Sequence, residues 1–197
     1  MKRPYHHGDL RSTLMRAALV LIEENGVKGL ALSDAARQAG VSVAAPYRHF
    51  NGKEALLAEI AAEGFGLFRD ALARAMQSYP KDKVKRLVEM GVAYVDFALE
   101  HRSHFKVMWE GGISKEKYPE VGKAAYEAYL LLEGAARDLL PSAPAARQQA
   151  LVASAWSLVH GFAVLTLERE LVVVAGEHEG KKLLRQSLHL VLDQFAG

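Results

Sequence analysis

The chain has 197 residues, half of them apolar and 24% charged, enough for a sizeable core under a polar surface. Cysteine is absent, which excludes disulfides and thiolate metal sites. No run reaches the ~18 uninterrupted apolar residues of a membrane span, and the opening Met1-Lys2-Arg3-Pro4-Tyr5-His6-His7-Gly8-Asp9 lacks an apolar signal core, so a cytoplasmic protein is expected. The net charge of +2 is small, but it is unevenly spread. Residues 1–53 carry eight Lys and Arg against four acids, and the remainder carries 17 against 19. The positive field therefore lies at one end, as a phosphate-facing module would need.

In chain order, helical periodicity runs almost throughout, and the exception is a short apolar run at Leu171–Ala175. A first amphipathic helix is expected over about Asp9–Asn25, with Leu10, Leu14, Ala17, Ala18, Leu21 and Ile22 on one face. It should stop at Gly26, which can take the left-handed conformation that closes a helix. A second, short helix begins near Ser33, a plausible N-cap, and ends at Gly40. A third runs from about Val43 to His49, capped by Ser42, and breaks at Asn51-Gly52. Longer helices are expected at about 53–77, 83–101, 103–110, 119–139, 145–169 and 178–195. The breaks between them are Tyr79-Pro80, Gly111-Gly112, Pro141-Ser142-Ala143-Pro144 and Gly176.

The informative stretch is Leu32 to Phe50. Two short helices meet at Gly40, where a tight turn needs a residue tolerant of positive φ. Leu32, Ala35, Ala36, Ala39, Val41 and Phe50 supply apolar contacts that lock the pair. The second helix then projects Val43, Ala44, Ala45, Tyr47 and Arg48 outward. Small apolar groups there suit thymine methyls, and Arg48 can fork onto a phosphate or a guanine edge. Ser42, Tyr47, His49 and Lys53 suit phosphate oxygens.

Residues 8–57, including Gly40-Val41-Ser42-Val43-Ala44-Ala45-Pro46-Tyr47-Arg48-His49-Phe50-Asn51-Gly52-Lys53, closely resemble the N-terminal domain of TetR-type (tetracycline-repressor-like) regulators. The resemblance implies that a first helix supports a helix-turn-helix and that the fourth helix starts at Lys53. It also implies that Tyr47, His49 and Lys53 clamp phosphates, that Val43, Ala44 and Ala45 face base edges, and that Ser33 opens the second helix near the DNA backbone. Ala45-Pro46 departs from the threonine or leucine often found in this turn, which removes a hydroxyl and one backbone hydrogen bond. Further on, Trp156 followed by His160-Gly161 resembles the Trp…His-Gly signature of one C-terminal subgroup of these regulators, and Phe105-Lys106-Val107-Met108-Trp109 is typical of it.

The helix at about 145–169 has more than one apolar face. Leu151, Ala155, Leu158, Phe162 and Leu165 make one stripe, and Val152, Trp156, Val159, Ala163 and Leu167 another. One face can bury its own core, and the second needs other cover. Ala150, Ser154, Ser157 and Gly161 add small residues that permit close helix packing. With Leu184, Leu188, Val191 and Phe195 on one side of the last helix, and Leu183 and Leu190 nearby, a four-helix homodimer interface is expected, through Leu158, Phe162, Leu165, Leu184, Leu188 and Val191. A small-molecule effector site would draw on Phe105, Met108, Trp109, Tyr126, Trp156 and His160. Tyr94, Phe97 and Tyr129 are further aromatic candidates for its lining.

His101 and His104 stand at i, i+3, but no carboxylate completes a metal set, and no metal or other cofactor is expected. No Gly-rich phosphate loop, Gly-x-Ser-x-Gly elbow or His-Glu-x-x-His occurs, so catalysis has no support. The expected architecture is all-α: a three-helix helix-turn-helix domain over 1–53, then a six-helix effector-binding and dimerisation domain over 54–197. The function implied is a ligand-responsive regulator, a repressor by family habit, that pairs two copies on a palindromic stretch of double-stranded DNA. An all-helical carrier or enzyme without DNA affinity is the rival reading, and a ligand-independent architectural DNA-binding protein is another.

Overall fold

The computed structural model of the chain describes residues 7–171 and 179–196. Among the described residues there are eight α-helices, one 3-10 turn and no strand. The helices are α1 (His7–Gly29), α2 (Leu32–Gln38), α3 (Lys53–Ser78), α4 (Lys83–Glu100), α5 (Arg102–Glu110), α6 (Pro119–Leu139), α7 (Ala145–Leu167) and α8 (Gly180–Ala196), and the 3-10 turn is Pro46–Arg48. Most of the apolar run at Leu171–Ala175, and the break expected at Gly176, lie outside the described residues. The start of the last helix, expected at 178, is observed at Gly180.

Local chemistry sets most boundaries. Gly26 takes φ +70° and breaks the regular helix near the expected position, with a short continuation to Gly29 beyond the kink. The Asp82 side chain accepts the Lys85 backbone N–H at 2.9 Å and caps α4. Pro119 opens α6, where a missing N–H costs nothing. Two expected side-chain caps, Ser33 and Ser42, are absent. α2 begins at Leu32 with Ala31 as its N-cap and no side-chain cap bond, so Ser33 lies within the first turn instead of capping it.

The helix expected over Val43–His49 is also not an α-helix: residues 43–45 form a turn, followed by one 3-10 turn at Pro46–Arg48. Pro46 has no N–H to donate to Ser42, so the bonding there shortens to i→i+3. Ala45 N–H reaches Ser42 O at 2.9 Å, and Arg48 N–H reaches Ala45 O at 3.2 Å.

The helices group into two compact units. The first comprises residues up to Phe65 together with Arg102–Lys123, and the second Gly66–His101 together with residues from Ala124 onward. α3 and α6 therefore each contribute to both. In the first unit, Leu14, Ala18 and Ile22 of α1 are fully buried with Ala35, Ala36, Leu56 and Ile60. Ser103 ties α5 to α1, its Oγ lying 2.8 Å from the Leu19 carbonyl oxygen and 3.1 Å from a Glu23 carboxylate oxygen.

The second unit packs α4 against α7 and α8. Leu151, Ala155 and Val159 of α7, with Leu184, Leu188 and Leu192 of α8, are buried alongside Leu87, Val88 and Val95 of α4. The Arg185 guanidinium holds Glu89 through two bonds, of 2.8 and 3.0 Å, a bidentate pairing stronger than a single surface contact. α4 packs tightly at Gly91: a Cβ there would stand 2.6 Å from Leu188 Cδ1 and 2.9 Å from Val159 Cγ1. Gly91→Val overpacks this crossing, and urea unfolding is expected to show a loss of about 1–3 kcal/mol. An unchanged unfolding midpoint would show that the three helices separate freely there.

Candidate nucleic-acid interface

α2 ends in a left-handed glycine. Gly40 takes φ +70°, its N–H reaches Arg37 O at 3.0 Å, and Val41 N–H reaches Ala36 O at 3.0 Å. This pair of bonds turns the chain sharply while satisfying the last carbonyls of α2. The turn that follows is anchored from beneath: Pro46 and Phe50 are among the large side chains sealed in the core. Arg11 of α1 lies over the Phe50 ring, 5.4 Å from its centroid, and its Nε donates to Glu59 of α3 at 2.6 Å. A second guanidinium nitrogen also pairs with Glu59. One arginine thus joins α1, the turn and α3.

The outer surface of this anchored turn is exposed. Val43 is 51% and Tyr47 63% accessible, with Ser42, Ala44 and Arg48 exposed beside them. Ala45, His49, Ser33 and Lys53 are half-buried. Lys53 opens α3, as expected, and its ammonium donates to the Lys28 carbonyl at 3.1 Å, at the C-terminal end of α1. A cation there complements the negative end of the helix. Asp34, the acid of α2, is paired with Arg37 one turn later.

The six residues expected at an effector site fall into two groups. Phe105, Met108 and Trp109 belong to the first unit. There Trp109 meets Phe65 edge-on, with ring centroids 5.8 Å apart, and lies 6.2 Å from Phe105. Gly64 of α3 lies against Met108 and His104. Tyr126, Trp156 and His160 belong to the second unit. Tyr126 stacks on Tyr129, and Tyr129 lies 6.4 Å from the Trp156 ring.

Trp156 and His160, one helical turn apart on α7, both reach Tyr94 of α4. The Trp156 side chain hydrogen-bonds the Tyr94 hydroxyl, which lies 2.8 Å from His160 Nδ1. The indole N–H can only donate, so it donates to the tyrosine oxygen, and the imidazole shares the same hydroxyl through Nδ1. Burial raises the Tyr94 pKa and lowers that of His160. Phe97, another lining candidate, instead packs on Phe68 and His101. It borders an open cleft of about 330 Å³ between the second half of α3 and α4, flanked by Asp70, Arg74, Asp96 and Glu100.

The residues expected at a dimer interface also divide. Leu184 and Leu188 are fully buried within the chain, so their burial against its own helices leaves nothing for a partner to cover. Leu158, Phe162 and Val191 are half-buried, and Leu165 is exposed. The buried face of α7 takes residues from both expected stripes: Leu151, Val152, Ala155, Val159 and Ala163. Its opposite face carries Ala150, Ser157 and Val164, all exposed, with Ser154 and Gly161 half-buried. On α8 the exposed apolar residue is Leu190, 70% accessible. α7 is long and apolar enough to cross a membrane by length and composition, although the sequence has no uninterrupted apolar run of that length, and only 28% of its most apolar segment is buried in the chain.

Comparison with known proteins gives this arrangement its context. The model of the family "Bacterial regulatory proteins, tetR family" matches residues 14–60, and that of "Tetracyclin repressor-like, C-terminal domain" matches residues 87–190. The chain is 34% identical over 92 residues to the HTH-type transcriptional regulator BetI of Rhizobium meliloti, a match covering 46% of this chain and 45% of the relative. It is 27% identical over 99 residues to the HTH-type transcriptional regulator YobS of Bacillus subtilis, covering 50% and 51%. The chain spans about half the length of the curated relatives it matches. A solved structure from Rhodococcus sp. RHA1, described as a protein with unknown function, superposes with a TM-score of 0.84 at 29% identity over all of both chains. The fold is that of a helix-turn-helix unit joined to a helical C-terminal unit. The chain belongs to the TetR family of bacterial regulatory proteins.

A lowered His160 pKa has a stability consequence. The unfolded chain binds this proton more readily than the folded one, so the contribution is complete above the ordinary histidine value and is lost as pH falls toward the folded-state value. His160→Gln keeps a hydrogen-bonding side chain beside Tyr94 but does not titrate. The stability of the unmodified protein relative to this variant is expected to fall as pH is lowered from about 7.5 to 5.5. A pH-independent difference in chemical denaturation would contradict it.

Proposed function

We propose that the chain is a DNA-binding transcriptional regulator that works in the cytoplasm as a homodimer and responds to a small molecule. The observation that carries this reading is the exposed surface of a core-anchored turn: Val43, Tyr47 and Arg48 face outward while Pro46 and Phe50 are sealed beneath them. An exposed valine and tyrosine on a rigid support cost hydrophobic free energy unless another surface covers them. Val43, Ala44 and Ala45 are small enough to approach thymine methyls, Arg48 suits a guanine edge or a phosphate, and Ser33, Ser42, Tyr47, His49 and Lys53 suit the sugar-phosphate backbone. Because the helix expected here is replaced by a turn, base contact would come from a short knuckle, so backbone contacts should supply much of the affinity.

A second copy would cover the exposed small-residue face of α7 together with Leu183 and Leu190 of α8. Ala150, Ser157 and Gly161 allow two helices to approach closely, and the apolar surface left uncovered by the chain itself gives the drive. Two-fold symmetry would set the two turns about 34–36 Å apart, one DNA turn, for a palindromic site. An effector that prefers a different spacing would weaken DNA binding, with coupling of about 1–3 kcal/mol as the usual scale. The aromatic cluster of Tyr126, Tyr129 and Trp156, with His160 behind it, is the candidate for recognising that molecule in the second unit. Repression relieved by the effector is the family habit, and no catalytic constellation argues for an enzyme.

Arg48→Ala is expected to weaken binding to a mixed-sequence duplex about tenfold and to reduce the slope of log K against log salt by about 0.9. Unchanged titrations would remove Arg48 from the interface. Leu165→Glu on the exposed side of α7 is expected to convert a dimer to a monomer at micromolar concentration, and sedimentation equilibrium reads this directly. A variant that stayed dimeric would place the interface elsewhere.

A further inference from the structure

Three acids lie between residues 30 and 60, and each is paired with a cation: Asp34 with Arg37, Glu59 with Arg11 and Glu54 with Lys117. Two of the cations come from the helix-turn-helix segment itself. The third arrives from 63 residues downstream, on the connection between α5 and α6, within the same compact unit. Glu54 immediately follows Lys53 in the first turn of α3. A carboxylate in that position steadies the positive end of the helix. It also places a negative charge beside a residue suited to grip phosphate, where it opposes binding.

The connection is built to deliver Lys117 there. Gly112 takes φ +61° and redirects the chain. The Ser114 Oγ accepts the Lys117 backbone N–H at 3.2 Å, and the Ser114 carbonyl accepts that of Tyr118 at 3.0 Å, closing a turn. The Lys117 ammonium lies 5.2 Å from the centre of the Tyr118 ring while pairing with Glu54. The Ser114 backbone also hydrogen-bonds the same carboxylate. Lys117, first among these, holds the Glu54 carboxyl below the usual carboxylate range.

We propose that Lys117 is a positioning residue for DNA binding: it neutralises Glu54 so that the start of α3 can lie against a phosphate, and it makes DNA affinity depend on the seating of the 111–118 connection. This rests on the DNA-binding reading above. It deepens that reading by giving a segment remote in sequence an electrostatic hold on the interface. When the connection lifts, a bare carboxylate is left beside Lys53, and it repels the backbone whatever the base sequence.

The test is a double-mutant cycle on the full-length protein with a mixed-sequence 30-base-pair duplex, followed by fluorescence anisotropy across a salt series. Lys117→Ala is expected to weaken binding about fivefold at low salt, an effect shrinking as salt screens the exposed charge. Glu54→Gln in the same background is expected to restore affinity to within about twofold of the unmodified protein, and Glu54→Gln alone to bind at least as well. Thermal melts of all variants check the fold, and Lys117→Arg is expected to bind like the unmodified protein. If Glu54→Gln failed to restore binding and the salt slope stayed lower by about 0.9, Lys117 would itself touch phosphate and the positioning role would be overturned. Unchanged affinity on Lys117→Ala would overturn it as well. A parent protein that ignored the duplex at low salt would instead sink the DNA-binding reading, and this inference with it.

Discussion

The burial of Phe50 is the constraint on which the exposed turn of the N-terminal unit depends. Residues 42–49 contain one 3-10 turn and no α-helix, so helical hydrogen bonding alone does little to hold them. Their shape is imposed from below, by Phe50 and Pro46 in the core, and from the side, by Arg11, which meets the Phe50 ring and Glu59 at once. Gly40 supplies the reversal that brings the turn back over α2. With those restraints met, Val43 and Tyr47 have little choice but to face outward. The ordering entropy of an exposed knuckle is thereby settled during folding, before any duplex is met.

A different constraint organises the second unit. α7 is apolar around most of its circumference, yet α4 and α8 cover one side of it. Gly91 is what lets α4 come close enough to make that side dense. The opposite side carries Ala150, Ser154, Ser157 and Gly161 and is left exposed or half-buried by the chain's own helices. The polar chain Trp156–Tyr94–His160 crosses between α7 and α4 and fixes their mutual rotation through hydrogen bonds, which a purely apolar seam would leave looser. Burial of the imidazole in its neutral form makes this seam sensitive to acid.

Most of the fold was legible in the sequence, because long amphipathic helices bounded by Gly and Pro announce themselves. α3, α4, α5 and α6 lie within a residue or two of their expected spans. The misses have local causes. Pro46 sits where a helical N–H was needed, and periodicity does not register a single missing donor. Ser33 had the chemistry of a cap but stands two residues inside Ala31, the residue that fills the position. On α8, helical period together with the family resemblance assigned Leu184 and Leu188 to a subunit interface. The close approach of α4 at Gly91 turned that face inward and left Leu190 outside. Helical period identifies a face, and the neighbour that covers it is a matter of tertiary packing. Contacts across long sequence separations, such as Lys117 with Glu54, Ser103 with Leu19 and Arg11 with Glu59, carry no periodic signal and emerged only from the fold.

The central claim is that two copies present the Tyr47 turn to one double helix. Native mass spectrometry of the protein titrated into a duplex of about 20 base pairs at low ionic strength tests it most directly, since roughly two half-sites fit such a length. The account predicts complexes that grow in steps of two chains per duplex, from a free protein that is already a dimer. Single-chain steps, or a duplex left bare in the presence of excess folded protein, would contradict it.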